Sequence, residues 1–260
     1  MPGARNLVLN RRETQRRLQY FLLRFDDGSY LFAAPEGYVI IDTVTTDEDG
    51  RRILHNMRSL GFDPAKTRYI VNTHYHWDHS GGNEEIIRQT GAQVLAGAGD
   101  ASFLEHGNDN STYPPKWRFE KYKQGPVPVA RKLIEGDTVV VGGATLKVLY
   151  TPGHTAGSIC LQAEVEGIEG KKMVLFTGDV NGSDPMRKEM MTVTGYPGNV
   201  EDFRRTIARL KTVRPDIVLS GHWSGSAATY MKGAAWVTGQ QWQSFLDDSL
   251  RKMERNRVSP

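Results

Sequence analysis

The stretch "VNTHYHWDHSGGN" (Val71–Asn83) packs three histidines and an aspartate into the six positions from His74 to His79 of a chain that has seven histidines in all. It follows an apolar run, Arg68 to Asn72, that reads as a buried strand. His74 and His76 are one residue apart, so in an extended segment leaving that strand their side chains fall on the same side. Asp78 and His79 follow where the chain must turn toward a helix starting after Asn83. A turn re-aims side chains, so one loop of this kind can feed two neighbouring metal ions. Gly81 and Gly82 give the backbone the freedom to turn tightly there.

A loop alone cannot complete a dinuclear site, so further ligands are expected at other strand ends. Three stretches supply them: "LYTPGHTAGS" (149–158), "MVLFTGDVNG" (173–182) and "IVLSGHWSG" (217–225). Each is an apolar run ending in a short turn whose glycine is followed directly by a metal-capable residue: His154, Asp179 and His222. With His74, His76 and His79 they account for five of the seven histidines. His55, on the polar side of a predicted helix, and His106, at the mouth of a long loop, are expected to be bystanders.

Composition bounds the rest. The chain of 260 residues and 29.1 kDa is 38% hydrophobic and 24% charged, with Gly 27 and Pro 12, which fits one globular α/β domain over residues 1–260. Its formal charge is +3 and its basic residues are scattered, as in "RRETQRR" near the start and "RKMERNR" at the end. No nucleic-acid groove is expected from that distribution. No apolar stretch reaches the roughly 18 to 20 residues of a membrane span. The opening "MPGARNLVLNRRETQRRLQ" is polar where a secretory leader is apolar. The expectation is a cytoplasmic protein with a small-molecule substrate and no membrane partner; a removed leader would place it in the periplasm or outside the cell. The single cysteine, Cys160, excludes a disulfide within the chain and any four-cysteine zinc site. A metal must therefore rely on histidine and carboxylate.

Strands are predicted at Tyr20 to Phe25, Tyr38 to Asp42, Arg68 to Asn72, Gln93 to Leu95, Thr138 to Val141, Leu146 to Tyr150, Ile159 to Glu164, Met173 to Thr177 and Ile217 to Ser220. Helices are predicted from about Glu48 to Leu60, with Gly61 as its stop, after Asn83, after an Asn199 cap with Val200, Phe203, Ile207 and Leu210 in one stripe, and from about Trp236 to Met253. Two β-rich halves, each carrying helices, imply a pair of sheets packed face to face with helices outside. Between the halves, residues 106–130 show no period and are predicted to form a flap packed through Tyr113, Trp117, Phe119 and Tyr122. "GAGD" (97–100) lacks the spacing of a nucleotide loop and reads as a turn. Cys160, inside an alternating strand, is expected to be buried and inert.

In this order and spacing, "THYHWDHSGG", "TPGHTAGS", "FTGD" and "SGHW" resemble the metallo-β-lactamase superfamily, and the likeness runs from about Tyr20 to Trp223. The resemblance implies the four-layer αββα sandwich. It further implies that His74, His76 and His154 hold a first Zn²⁺, that Asp78, His79 and His222 hold a second, and that Asp179 bridges them. Imidazole and carboxylate ligands suit zinc. The expected reaction is hydrolysis by metal-bound hydroxide, with Asp78 or Asp179 shuttling a proton to the leaving group.

Segments such as "RSLGFDPAKTRYIVNTHYHWDHSGGN" (58–83) are similar to the third subclass of true metallo-β-lactamases. Those enzymes usually carry serine where Asp179 stands, and His-Pro where this chain has His222 and Trp223. A bridging aspartate resembles instead glyoxalase II and the acyl-homoserine lactonases. The favoured substrate is a small cyclic ester or amide (lactone or β-lactam) or a thioester, in a pocket walled by Trp77, Trp117 and Trp223, with Arg187 and Lys188 as candidate grips for a carboxylate. The alternatives are a phosphodiesterase or nuclease of the same superfamily and, more remotely, a diiron redox protein. The latter carry H-x-E-x-D where this chain has His76.

Overall fold

The computed structural model describes residues 21–25, 28–107, 123–167, 170–181, 198–222 and 237–258. Among them lie two sheets. The first contains β1 (Phe21–Phe25), β2 (Ser29–Ala34), β3 (Gly37–Ile41), β4 (Thr67–Asn72), β5 (Gln93–Gly97) and β6 (Val129–Leu133), in that spatial order. The second contains β7 (Thr138–Val141), β8 (Ala144–Tyr150), β9 (Ile159–Gly167), β10 (Gly170–Gly178) and β11 (Ile217–Ser220), again in sequence order across the sheet. Four helices accompany the first sheet: α1 (Asp47–Ser59), α2 (Trp77–Ser80), α3 (Asn83–Thr90) and α4 (Ala101–His106). Two accompany the second: α5 (Val200–Leu210) and α6 (Gly239–Val258).

Side-chain alternation explains the layering. In β2, Tyr30 and Phe32 join the cluster between the sheets, while Leu31 and Ala33 join the cluster beneath the helices. Both faces of the strand are thus apolar, as a sheet covered on both sides requires. Tyr30, Phe32, Val39, Ile41 and Val71 meet Leu146, Val148, Leu161, Phe176 and Leu219 of the second sheet. Ile53, Leu54 and Met57 of α1 and Ile86 of α3 cover the outer face of the first sheet. Phe203, Ile207 and Leu210 of α5, with Trp242, Phe245 and Leu246 of α6, cover the outer face of the second. The result is the expected αββα sandwich.

Local chemistry sets the helix ends. Thr46 caps α1 by accepting from the Asp49 amide, Asp49 accepts in return from the Thr46 amide, and three acids occupy the first turn, where the helix dipole favours them. Gly61 follows in the left-handed region, with φ +83. Asn199 caps α5 by accepting from the Asp202 amide at 3.0 Å. Two strands fall outside the sequence expectations. β2 is apolar on both faces and so shows no alternation, and β6 is a largely exposed edge whose "VARKL" becomes a strand by pairing with β5. Of the predicted flap, residues 108–122 lie outside the described residues, with Tyr113, Trp117, Phe119 and Tyr122, while Val129 and Ala130 belong to β6. Trp223, Trp236, Arg187 and Lys188 also lie outside them. No helix among the described residues is long and apolar enough to cross a membrane.

Topology gathers four strand ends. β9 runs antiparallel to both β8 and β10, and β11 runs parallel to β10, so β8, β10 and β11 all end at one rim of the second sheet. The end of β4 meets that rim, where the Ile159 amide donates to the Thr73 carbonyl at 2.9 Å. The core behind the rim should govern stability. Phe176, 1% exposed and edge-on to Tyr30 at 5.5 Å, is the test: Phe176→Ala is expected to cost about 3–5 kcal/mol in urea unfolding. An unchanged unfolding midpoint would remove it from the load between the sheets.

Candidate metal centre

His74, His76, Asp78 and His79 leave the end of β4. His154 follows β8, Asp179 follows β10 and His222 follows β11. All seven meet at one place, where three overlapping groups could each hold a metal ion: His74 with His76 and His154, His74 with His79 and Asp179, and Asp78 with His79 and His222. His154 Nε2 lies 3.0 Å from His76 Nδ1, and His79 Nε2 lies 3.2 Å from His222 Nε2. Asp179 sits between the sets: its oxygens are 3.5 Å from His79 Nε2, 3.6 Å from His154 Nε2 and 3.4 Å from His222 Nε2. Asp78 Oδ2 lies 3.2 Å from His222 Nε2. His55, exposed on α1, and His106, whose Nδ1 is paired with the Ser102 carbonyl, stand outside these groups.

The cluster is closed at one end and open at the other. His74, His76, His79 and His154 are at most 4% exposed, whereas the side chains of Asp78 and His222 are 26% and 29% exposed. A substrate arriving from solvent therefore meets the Asp78 and His222 side first.

A second layer holds the ligand candidates in place. Asp42, at the end of β3 with φ 57, accepts from the Thr73 amide and hydroxyl, each at 2.7 Å, and its Oδ2 lies 2.9 Å from His79 Nδ1. That last bond puts a proton on Nδ1 and leaves Nε2 to face the cluster. Sequence reading passed over Asp42. The signal was there, because "YVIID" is another apolar run ending in a carboxylate. Across the sheets, the Tyr30 hydroxyl donates to the Ser220 carbonyl at 2.5 Å, fixing the turn that presents His222. Gly221 is required in that turn: a Cβ there would lie 2.6 Å from Asp179 Oδ1 and 2.7 Å from His79 Cε1.

Electrostatics divides the histidines into two kinds. Burial, with its cationic neighbours, holds His74 and His76 well below the usual imidazole range, and burial brings His154 down to about 4. These three are neutral near pH 7. The Asp179 carboxylate, aided by Asp78, raises His222 to about 11. For His79 burial works downward, but Asp179 and Asp42 outweigh it and leave the group raised. Burial likewise opposes ionisation of Asp78 and Asp179, yet His222 and His79 prevail, holding Asp78 at about 2 and Asp179 below the ordinary carboxylate range. The two carboxylates thus call for positive charge, which protons on imidazole supply in the chain by itself.

The residues fit a metal. His74 Nε2 and Asp179 Oδ1 are buried polar atoms without a hydrogen-bond partner among the described residues, and both belong to the converging groups. Such orphaned atoms are costly unless something coordinates them. Neutral imidazoles and carboxylates are the donor set of zinc and related cations.

A family model described as the metallo-beta-lactamase superfamily matches residues 29–222. The chain is 38% identical over 107 residues to a hydroxyacylglutathione hydrolase of Rhodospirillum rubrum, an alignment covering 41% of this chain and 32% of that one. It is 30% identical over 183 residues to an N-acyl homoserine lactonase of Bacillus thuringiensis, covering 68% and 63%. The chain thus spans from about a third to just under two-thirds of the length of these curated relatives. Among solved structures, a subclass B3 metallo-β-lactamase of Bradyrhizobium japonicum superposes with a TM-score of 0.75 at 28% identity, over 92% of this chain and 90% of that one.

Two outcomes test the centre. Because a metal must displace the proton that His222 carries in the metal-free chain, Zn²⁺ uptake at pH 7 should release protons, and affinity should fall as pH falls. Calorimetry in buffers of different ionisation enthalpy reads that release, and a proton count of zero would contradict it. Gly221→Ala should lower zinc stoichiometry while the chain stays folded by circular dichroism, since its methyl intrudes on Asp179 and His79.

Proposed function

Because the chain belongs to the metallo-beta-lactamase superfamily, we propose that it is a dinuclear zinc hydrolase that cleaves the acyl bond of a small thioester or lactone. The observation that carries the reading is the place of Asp179, within 3.4–3.6 Å of one histidine nitrogen from the first set and two from the second. A carboxylate so placed can tie two ions together, and two relatives similar in sequence are named as a hydroxyacylglutathione hydrolase and an N-acyl homoserine lactonase.

In this reading His74, His76 and His154 would hold one ion and Asp78, His79 and His222 the other, with Asp179 placed to serve both sets. Bound cations of this kind lower the pKa of water, polarise a carbonyl oxygen and stabilise the charge that develops on it. The chain's own side chains do the rest. Asp42 keeps the His79 proton on Nδ1, so that Nε2 faces inward. The closed histidine end keeps bulk water away from the reacting bond, and the Asp78 and His222 side admits substrate. Asp78, the more exposed of the two acids, would take the proton given up by the attacking water and pass it to the leaving thiolate or alkoxide, and Asp179 would share that task from within.

A second reading, β-lactam opening, is favoured by the superposition on the Bradyrhizobium japonicum structure over nearly the whole chain. Metal analysis combined with turnover of thioester, lactone, β-lactam and phosphodiester substrates separates the readings. We expect two zinc ions per chain and the highest kcat/KM on a thioester or lactone. Preference for the β-lactam would establish the second reading, preference for the phosphodiester would make the protein a nuclease-like member, and bound iron would revive redox chemistry. His154→Ala should lose both zinc and turnover; full zinc content in that variant would exclude His154 from the site.

A further inference from the structure

We infer that Asp100 is the positioning residue that fixes the turn carrying His154 against the loop carrying His74 and His76, an inference that rests on the metal-centre reading above. Asp100 closes the "GAGD" turn after β5 and is 0% exposed. Its Oδ2 accepts from the Tyr75 amide at 3.1 Å and from the Thr155 hydroxyl at 2.6 Å, and its Oδ1 accepts from the Gly157 amide at 2.7 Å. Tyr75 lies between His74 and His76, and Thr155 follows His154. One carboxylate therefore binds the backbone amide between His74 and His76 and, on the other turn, the hydroxyl of the residue after His154 and the Gly157 amide.

The turn geometry supports this assignment independently. A Cβ on Gly97 would lie 1.9 Å from the Gly157 carbonyl oxygen, and one on Gly157 would lie 2.2 Å from the Asp100 amide nitrogen. The two turns touch backbone to backbone, and only that closeness lets a side chain as short as aspartate span them. Tyr150 adds a parallel tie: its hydroxyl donates to the Ala156 carbonyl at 2.9 Å and accepts from the Gly99 amide at 3.1 Å. A buried site that presents three donors suits a group whose oxygens accept; burial pushes the Asp100 carboxyl up to about 7, and the bonds from Thr155, Gly157 and Tyr75 work against that by favouring the carboxylate. Asparagine in its place would turn an N–H toward an N–H or O–H.

The test uses the full chain. Zinc and cobalt affinities are measured by chelator competition for the wild type, Asp100→Asn and Thr155→Val, together with the Co²⁺ absorption spectrum and the melting temperature of each metal-free chain. Affinity for one of the two ions is expected to fall about 10- to 100-fold in Asp100→Asn, the range for residues that orient metal ligands, with an altered Co²⁺ spectrum and the second ion retained. Thr155→Val, which keeps the shape and removes one donor, should move the same way by less, and it decides the matter if Asp100→Asn does not fold. Wild-type affinities and spectrum in the folded variants would overturn the inference. So would an equal loss at both ions that tracks the melting temperature, because that marks general destabilisation. A wild type that takes up neither metal would overturn the metal-centre reading itself, and this inference with it.

Discussion

The Asp179 carboxylate is 7% exposed and lies against three imidazole nitrogens from three different turns. An uncompensated charge in such a place costs several kcal/mol, so the surroundings must supply positive charge at a fixed point. That requirement accounts for the raised His79 and His222 beside it, while burial keeps the histidines on the other side neutral. A cation at the same point would satisfy the acids and the orphaned His74 nitrogen together. The site is best understood as a charge deficit that the fold holds open.

Holding it open is the work of the sandwich. Two apolar sheet faces pressed together bring the end of β4 to the ends of β8, β10 and β11, and each strand delivers one part of the cluster. Short polar ties then set the final geometry: Asp42 to Thr73 and His79, Tyr30 to Ser220, and Asp100 to Tyr75, Thr155 and Gly157. Glycines at 97, 157 and 221 are what allow those ties, because the backbones and ligands there approach more closely than a Cβ permits.

Much of this was legible in the chain itself. Apolar runs with sharp ends marked nine of the strands, and the cap read at Asn199 matches the helix that begins beside it. What escaped reading did so for physical reasons. β2 is buried on both faces and lacks a period, β6 takes its form from a neighbour, and the short α4 carries little local signal. Asp42 ends an apolar run as the ligand candidates do, but Asp100 looks like an ordinary turn acid in sequence, and its partner Thr155 lies 55 positions away.

By itself the sequence determined which residues can bind a cation and that they sit at strand ends, because ligand chemistry and strand patterning are both properties of short segments. Only the tertiary structure decided which nitrogens face one another, how near Asp179 lies to each set, and which end of the cluster is open to solvent. Those depend on the distance between two sheets, and that distance is set by the packing of side chains brought together from the whole length of the chain.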